Sequence, residues 1–358
     1  MITAMICDAG YTWVTSRPSK QEDRERRFRM ADTLLHHSLR PLVSVDSVTW
    51  GSSVHRVVTN SLGFIDASMR QIPAQTTSPR VLLLGDSFTE GVGVPFDSTF
   101  AGILEQRALS HGLDILNGGN ASYAPIMYLK RTQQLLSQGV RIDEVIVFVD
   151  ISDIQDEAYY HPQGDRIVLV DPPSAGRWTR LWREYRKYSF ILGRVWPAVV
   201  ARTVRPRRSV PLCLDGEEHS PDCRGGWPSS AAIRARFGDA GIAAAKRDMS
   251  ALAARLRSHD IPLTVVVYPW PQQIRWDDVN SLQRTIWRDW AAGERVGFID
   301  LFPPFFAVAR NEGTENAILR LFIDGDIHWN PQGHQLVVTE LISRYCASGD
   351  QGPLKRFC

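Results

Sequence analysis

The sequence predicts an α/β fold with a central parallel sheet of about five strands, and three observations predict it. Arg80 to Leu84 is an almost uniformly apolar run, as a strand covered on both faces should be. Downstream of it, short apolar runs alternate with segments of helical periodicity, the pattern of parallel strands joined by crossover helices. The composition, 44% hydrophobic and 22% charged, can bury a sizeable core, and a net charge of +2 directs the chain to no particular partner.

Residues 1–75 read as an N-terminal extension packing on the core, and residues 76–358 as one α/β domain. Residues 18–40 begin highly charged and end amphipathic, which predicts a surface helix with His36 and His37 solvated. A Ser/Val/Thr-rich segment and the turn-like TNSLGF lead into the strand at 80–84. A helix near 98–111, a strand at 113–117, a helix near 126–138 and a strand at 144–149 follow. The pattern resumes with a helix near 239–258, a strand at 262–268, a helix near 279–292, a short strand at 296–300 and a last helix near 331–346.

Between the two blocks, residues 155–235 become rich in Pro, Arg and Trp and read as an irregular and helical insertion above the sheet. Within it Trp178, Leu181, Trp182 and Tyr185 share one helical face, while the arginines fall mostly elsewhere. Such a helix suits peripheral association with a membrane or an anionic polysaccharide. The plainer alternative, that the aromatics pack on the body and the arginines are solvated, is preferred.

Several function classes fall away at this point. No apolar run approaches the roughly 20 residues that cross a bilayer, and the first residues lack the basic start and sustained apolar stretch of a secretory signal. The five cysteines show no metal-ligand spacing, although Cys213 and Cys223 flank a loop that a disulfide can close in an oxidising compartment, two free thiols being the alternative. No phosphate-cradling glycine loop and no nucleic-acid signature of interleaved basic and aromatic residues is present.

The chemistry gathers at two places. The first strand runs into Gly85-Asp86-Ser87, so Ser87 stands just past the carboxyl end of a central strand, where open α/β sheets bind ligands. A serine hydroxyl is a poor nucleophile until a base takes its proton, and that base needs a third group to hold its tautomer. Asp324-Gly325-Asp326-Ile327-His328-Trp329-Asn330-Pro331 offers both. Asn330 and Pro331 suit the N-cap and first position of the last helix, leaving the preceding residues non-helical. In extended chain i and i+2 project to the same side, which favours Asp326 as the partner of His328, with Asp324 the alternative. Asp86 is placed beside the substrate, with bracing the loop as its main task, and His334 reads as structural. Trp270, Tyr268 and Trp329 have flat apolar faces on which a sugar ring can stack, with core packing equally open to them. Glu90 and Asp153 lie near the pocket without an evident acid or base task.

The blocks GDSFTEG, NGGNASYAP, FVDISDIQDE and DGDIHWNPQGH, in that order, resemble those of the SGNH/GDSL hydrolase superfamily. The resemblance implies a three-layer, flavodoxin-like sandwich. It also implies Ser87 as nucleophile, His328 as base, and an oxyanion hole from the N–H groups of Ser87 and Gly119. Ser152 stands where the family usually has an asparagine as third donor, and Asn120 is an alternative that can compensate. The D-x-H-W-N form resembles the SGNH-like O-acetyltransferases and esterases of exported polysaccharides, which implies acylated carbohydrate or small ester substrates and a place in the cell envelope or periplasm. No metal or organic cofactor is called for. The rivals are a lipase or thioesterase on the same scaffold, and a polysaccharide-binding module that lost activity through Ser152.

Overall fold

The computed structural model describes residues 25–51, 53–170, 221–347 and 352–358, with the side chains of 221–223 excepted. The aromatic helix at 177–192, much of the insertion and the proposed Cys213–Cys223 pairing therefore lie outside the described residues.

Two antiparallel hairpins come first: β1 (Arg29–Asp32) with β2 (His36–Leu39), and β3 (Ser44–Trp50) with β4 (Ser53–Val58). The central sheet is built from β5 (Arg80–Leu84), β6 (Asp114–Asn117), β7 (Glu144–Val149), β10 (Leu263–Val267) and β11 (Gly297–Asp300). A third hairpin, β8 (Tyr160–Gln163) with β9 (Arg166–Leu169), lies between β7 and β10 in sequence. The helices that build the layers and the site are α1 (Ser87–Glu90), α2 (Phe100–Ser110), α3 (Pro125–Ser137), α4 (Asp153–Tyr159), α5 (Asp239–Arg257), α6 (Pro271–Trp276), α7 (Leu282–Glu294), α8 (Phe302–Glu312), α9 (Thr314–Leu321) and α10 (Pro331–Ala347).

All four strand pairings in the central sheet are parallel, and its order is β11-β10-β7-β5-β6. Counting its strands along the chain, that is the flavodoxin-like order 2-1-3-4-5. Because crossovers are right-handed, β5-α2-β6 and β6-α3-β7 run in opposite directions and place α2 and α3 on opposite faces. Consistent with this, α5 packs on α3 and α7, and α10 packs on α2, giving a three-layer sandwich. Every residue of β5, β7 and β10 is buried, which explains why these strands are apolar without alternation. The reversal of direction falls between β5 and β7, and open α/β sheets bind ligands beyond the strand ends at that point.

Of the expected surface helix over residues 18–40, residues 25–28 are helical, and from Arg29 onward the chain forms a hairpin instead. Asp32 accepts the N–H groups of Leu34 and Leu35 at 2.8 and 2.9 Å and turns the chain, and β1 and β2 pair in register on either side. Phe28, Leu39, Val45, Val48, Val57 and Ile65 form a small core of their own under the two N-terminal hairpins. An isolated bridge from Ile65 to Asn117 ties this layer to the end of β6. Strand β3 of that layer ends at Trp50, whose ring meets the loop that carries Asp326 and His328.

Cys346 and Cys358 form a disulfide that ties the end of α10 to the last residue.

Candidate active site

Ser87 owes its position to an abrupt strand-to-helix turn. After β5 the Asp86 carboxylate accepts the Phe88 N–H at 2.9 Å and starts the one-turn helix α1. As the first residue of α1, Ser87 keeps an N–H with no acceptor inside the helix. Gly119 makes the close approach behind this turn possible, since a Cβ there would fall 2.5 Å from the Glu90 nitrogen.

His328 arrives from the other end of the chain, held by a tight loop. Asn330 Oδ1 accepts the N–H groups of Gln332 and Gly333, both at 3.0 Å, and caps α10. The same side chain donates to the Arg320 and Phe322 carbonyls at 2.9 and 3.0 Å, fastening the loop to the end of α9. Within the loop Ile323 N–H donates to the His328 carbonyl at 2.9 Å, and Gly325 takes a φ of +76°. His328 Nε2 lies 2.8 Å from Ser87 Oγ, and His328 Nδ1 lies 2.5 Å from Asp326 Oδ1.

Asp326 meets His328, whereas Asp324 is exposed at the tip of the turn. The reason differs from the extended-chain expectation: Asp326 Oδ1 also accepts the His328 backbone N–H at 2.9 Å, so a side-chain turn brings the pair together. Burial alone would raise the Asp326 carboxyl. The hydrogen bonds and charge of His328, with help from Trp50, outweigh burial and hold it down at about 2. An ionised Asp326 accepts the Nδ1 proton, which leaves the Nε2 lone pair facing the serine hydroxyl. Ser87 Oγ is also 3.3 Å from Asp86 Oδ2, but its single proton favours the shorter contact to His328.

Trp50 was not singled out from the sequence. Its indole N–H donates to Asp326 Oδ2 at 2.7 Å, and its ring meets that of His328 edge-on at 5.4 Å. No spacing rule relates residues 276 positions apart, so no local signal pointed to it.

The backbone N–H groups at the three further donor positions are engaged elsewhere in the protein. Gly119 N–H donates to Asn117 Oδ1 at 3.2 Å, Asn120 N–H to the Gly85 carbonyl at 3.1 Å, and Ser152 N–H to Asp150 Oδ1 at 2.7 Å. Ser152 is buried at the start of α4, where its carbonyl accepts the N–H groups of Gln155 and Asp156.

The aromatic platform for a sugar is corrected by the structure. Trp329 is 0% exposed and packs among Phe88, Phe100, Tyr268 and Phe305, while Trp270 is 3% exposed and donates its indole N–H to Asp150 Oδ2 at 2.6 Å. A ring enclosed on both faces by core side chains cannot stack on a ligand, and Tyr268 is buried as well. Asp86 is likewise internal: it caps α1 and accepts the Tyr268 hydroxyl at 3.3 Å, so it braces the loop instead of contacting substrate.

Asp86, Asp150 and Asp153 place carboxylate oxygens within 4.8 Å of one another, the one acidic or metal-ligand cluster of this kind among the described residues. Burial, and then the neighbouring carboxylates, push Asp86 and Asp153 well above the usual carboxylate range. The hydroxyls of Tyr128 and Tyr268 and the indole of Trp270 already donate into the cluster. Retained protons suit this donor set better than a cation does.

His334 is fully internal. Burial lowers its imidazole to about 3, and its Nδ1 accepts the Phe100 N–H at 3.2 Å, a structural use. His36 is exposed, as expected, but His37 is half-buried, with Nε2 2.7 Å from the Ala121 carbonyl and its ring against Tyr123. Glu90 is fixed by a two-pronged ion pair from Arg29 at 2.6 and 3.1 Å and accepts the Ala121 N–H at 2.7 Å. It locks the N-terminal layer to α1 and to the loop after β6.

No protein-family model and no curated relative matches the chain. Among solved structures, a member of the lipolytic G-D-S-L family from Veillonella parvula is 10% identical, with 76% of this chain and 100% of that one covered and a TM-score of 0.41. The acetyl xylan esterase AlAXEase is 15% identical, with 74% and 98% covered and a TM-score of 0.39. The psychrotrophic esterase EstA from Pseudoalteromonas is 10% identical, with 76% and 100% covered and a TM-score of 0.39.

Proposed function

We propose that the protein is a serine-dependent acyl-transfer enzyme acting on an ester, with Ser87 as nucleophile, His328 as general base and Asp326 as the carboxylate that orients it. The observation that carries this reading is the continuous hydrogen-bonded line Ser87 Oγ, His328 Nε2, His328 Nδ1, Asp326 Oδ1, at 2.8 and 2.5 Å.

His328 Nε2 takes the hydroxyl proton as Ser87 Oγ attacks the ester carbonyl. The developing oxyanion is held by the Ser87 N–H at the head of α1, which has no acceptor among the described residues. The imidazolium returns its proton to the departing alcohol oxygen, leaving an acyl group on Ser87. Water or a sugar hydroxyl, deprotonated by His328, then attacks the acyl carbonyl and regenerates the serine. Gly119 serves as a further donor when its N–H leaves Asn117 Oδ1 on substrate binding, and Ser152, or Asn120 in its place, donates through its side chain.

Within esters, O-acetyl groups of a carbohydrate are the favoured substrates, on the strength of the D-x-H-W-N arrangement around His328. Burial of Trp270 and Trp329 withdraws the stacking argument, so this finer reading rests on the motif alone. Release of p-nitrophenol from its acetyl ester tests the chemistry: Ser87→Ala should abolish it, and unchanged turnover would refute the assignment. Comparison of acetyl with long-chain esters separates carbohydrate deacylation from a lipase or thioesterase. Adding an oligosaccharide acceptor separates transfer from hydrolysis.

A further inference from the structure

We infer that Trp50 is a positioning residue of the reaction, acting through Asp326 and supplied to the site by the N-terminal β3–β4 hairpin. The inference rests on the reading of Ser87, His328 and Asp326 given above.

Three features place it there. A buried or half-buried indole N–H must find an acceptor, and this one takes Asp326 Oδ2 at 2.7 Å, the oxygen that His328 leaves free. With Oδ1 bonded to His328 Nδ1 and to the His328 backbone N–H, the Trp50 bond on Oδ2 prevents the carboxylate from rotating away from the imidazole. The indole is itself wedged. A Cβ on Gly93, whose φ is +85°, would fall 2.8 Å from Trp50 Cδ1 and 2.6 Å from Ile323 Cδ1. Space for the ring therefore depends on a bare backbone beside it.

The charge consequence has a definite sign. The groups that bear on Asp326 are His328 and Trp50, and beyond His328 lie Ser87 and the buried His334 of α10. The indole N–H draws charge from the carboxylate. Without it the full charge faces the imidazole and favours its protonated, inactive form.

Trp50→Phe keeps the ring and removes the N–H. A hydrogen bond to a charged group is worth enough that kcat on p-nitrophenyl acetate should fall about ten-fold or more. KM should stay within about two-fold, and the acid limb of the kcat/KM profile should move to higher pH. Wild-type rates, or a loss with an unmoved acid limb, would overturn the inference, the second outcome marking a packing role. Should Trp50→Phe fail to fold, the wild type supplies the test through the Trp50 indole N–H resonance. That signal should shift along the same pH curve as kcat/KM, and a signal that ignores the curve overturns the inference. Turnover surviving in Ser87→Ala would instead remove the underlying reading of the site, and the role of Trp50 with it. Turnover lost in Ser87→Ala but untouched in Trp50→Phe removes the role of Trp50 alone.

Discussion

The Ser87 hydroxyl and the His328 imidazole, 241 positions apart in the chain, stand 2.8 Å apart in space. The first is delivered by the turn after β5, and the second by the loop that Asn330 pins to both α9 and α10. Neither group is placed by the other, so each can be altered without dismantling the element that carries its partner.

Asp326 and Asp324 separate cleanly by substitution. Asp326→Asn removes the charge that holds the Nδ1 tautomer and should lower kcat by about 10³ to 10⁴-fold. Asp324→Asn, at an exposed turn position, should leave kcat within about two-fold. Steady-state kinetics on p-nitrophenyl acetate checks both, and the reverse ranking would reassign the carboxylate.

Trp329 tests the correction of the aromatic platform. Its side chain is fully enclosed, so Trp329→Ala should cost about 3 to 5 kcal/mol of stability, the usual range for a large aromatic removed from a core. Urea denaturation reads this directly. A change in KM with stability untouched would restore the sugar-contact role.

Glu105 makes the protein lose stability as pH rises from about 4 to about 7. Burial first, and then Asp66 and Asp114 against the opposing pull of Arg70, raise its carboxyl to about 7. A carboxyl raised on folding stabilises fully below its unfolded value near 4, and this contribution is lost as pH rises through about 7. Glu105→Gln should therefore match the wild type near pH 4 and be more stable by about 1 kcal/mol at pH 8. Denaturation midpoints at the two pH values decide it, and equal differences at both would contradict the sign.

The Cys346–Cys358 bridge closes a short loop at the chain terminus, with a sequence separation of 12. By loop-closure entropy it stabilises by at most about 3 kcal/mol. Reduction should lower the urea midpoint, and Cys346→Ser should reproduce the shift. No shift would show that the C-terminal segment docks without its covalent tie.

The sheet was legible because its central strands β5, β7 and β10 are buried on both faces: β5 and β7 lie at 80–84 and 144–149 as read, and the other three within a residue at either end. The capped helix α10 was legible from Asn330 and Pro331 for the same local reason. The N-terminal hairpins were not, because a charged stretch of residues 18–40 carries no strand alternation and its pairing is set by the turn at Asp32. α8 and α9 were passed over because the short apolar cluster at Phe302, Phe305 and Phe306 does not by itself distinguish helix from loop. At the site, Ser87, His328 and Asp326 were readable from residue types near a strand end and a helix cap. Trp50, the engaged N–H groups of Gly119 and Ser152, and the burial of Trp270 and Trp329 depend on contacts between distant segments, which no local pattern encodes.

Mass spectrometry after treatment with a fluorophosphonate reads the activation of Ser87 itself, because only a serine activated by a neighbouring base reacts at a useful rate. One adduct is expected, on the peptide containing Ser87, and it is lost in His328→Ala. An intact protein of unchanged mass, or an adduct on another serine with Ser87 unmodified, would contradict Ser87 as the nucleophile.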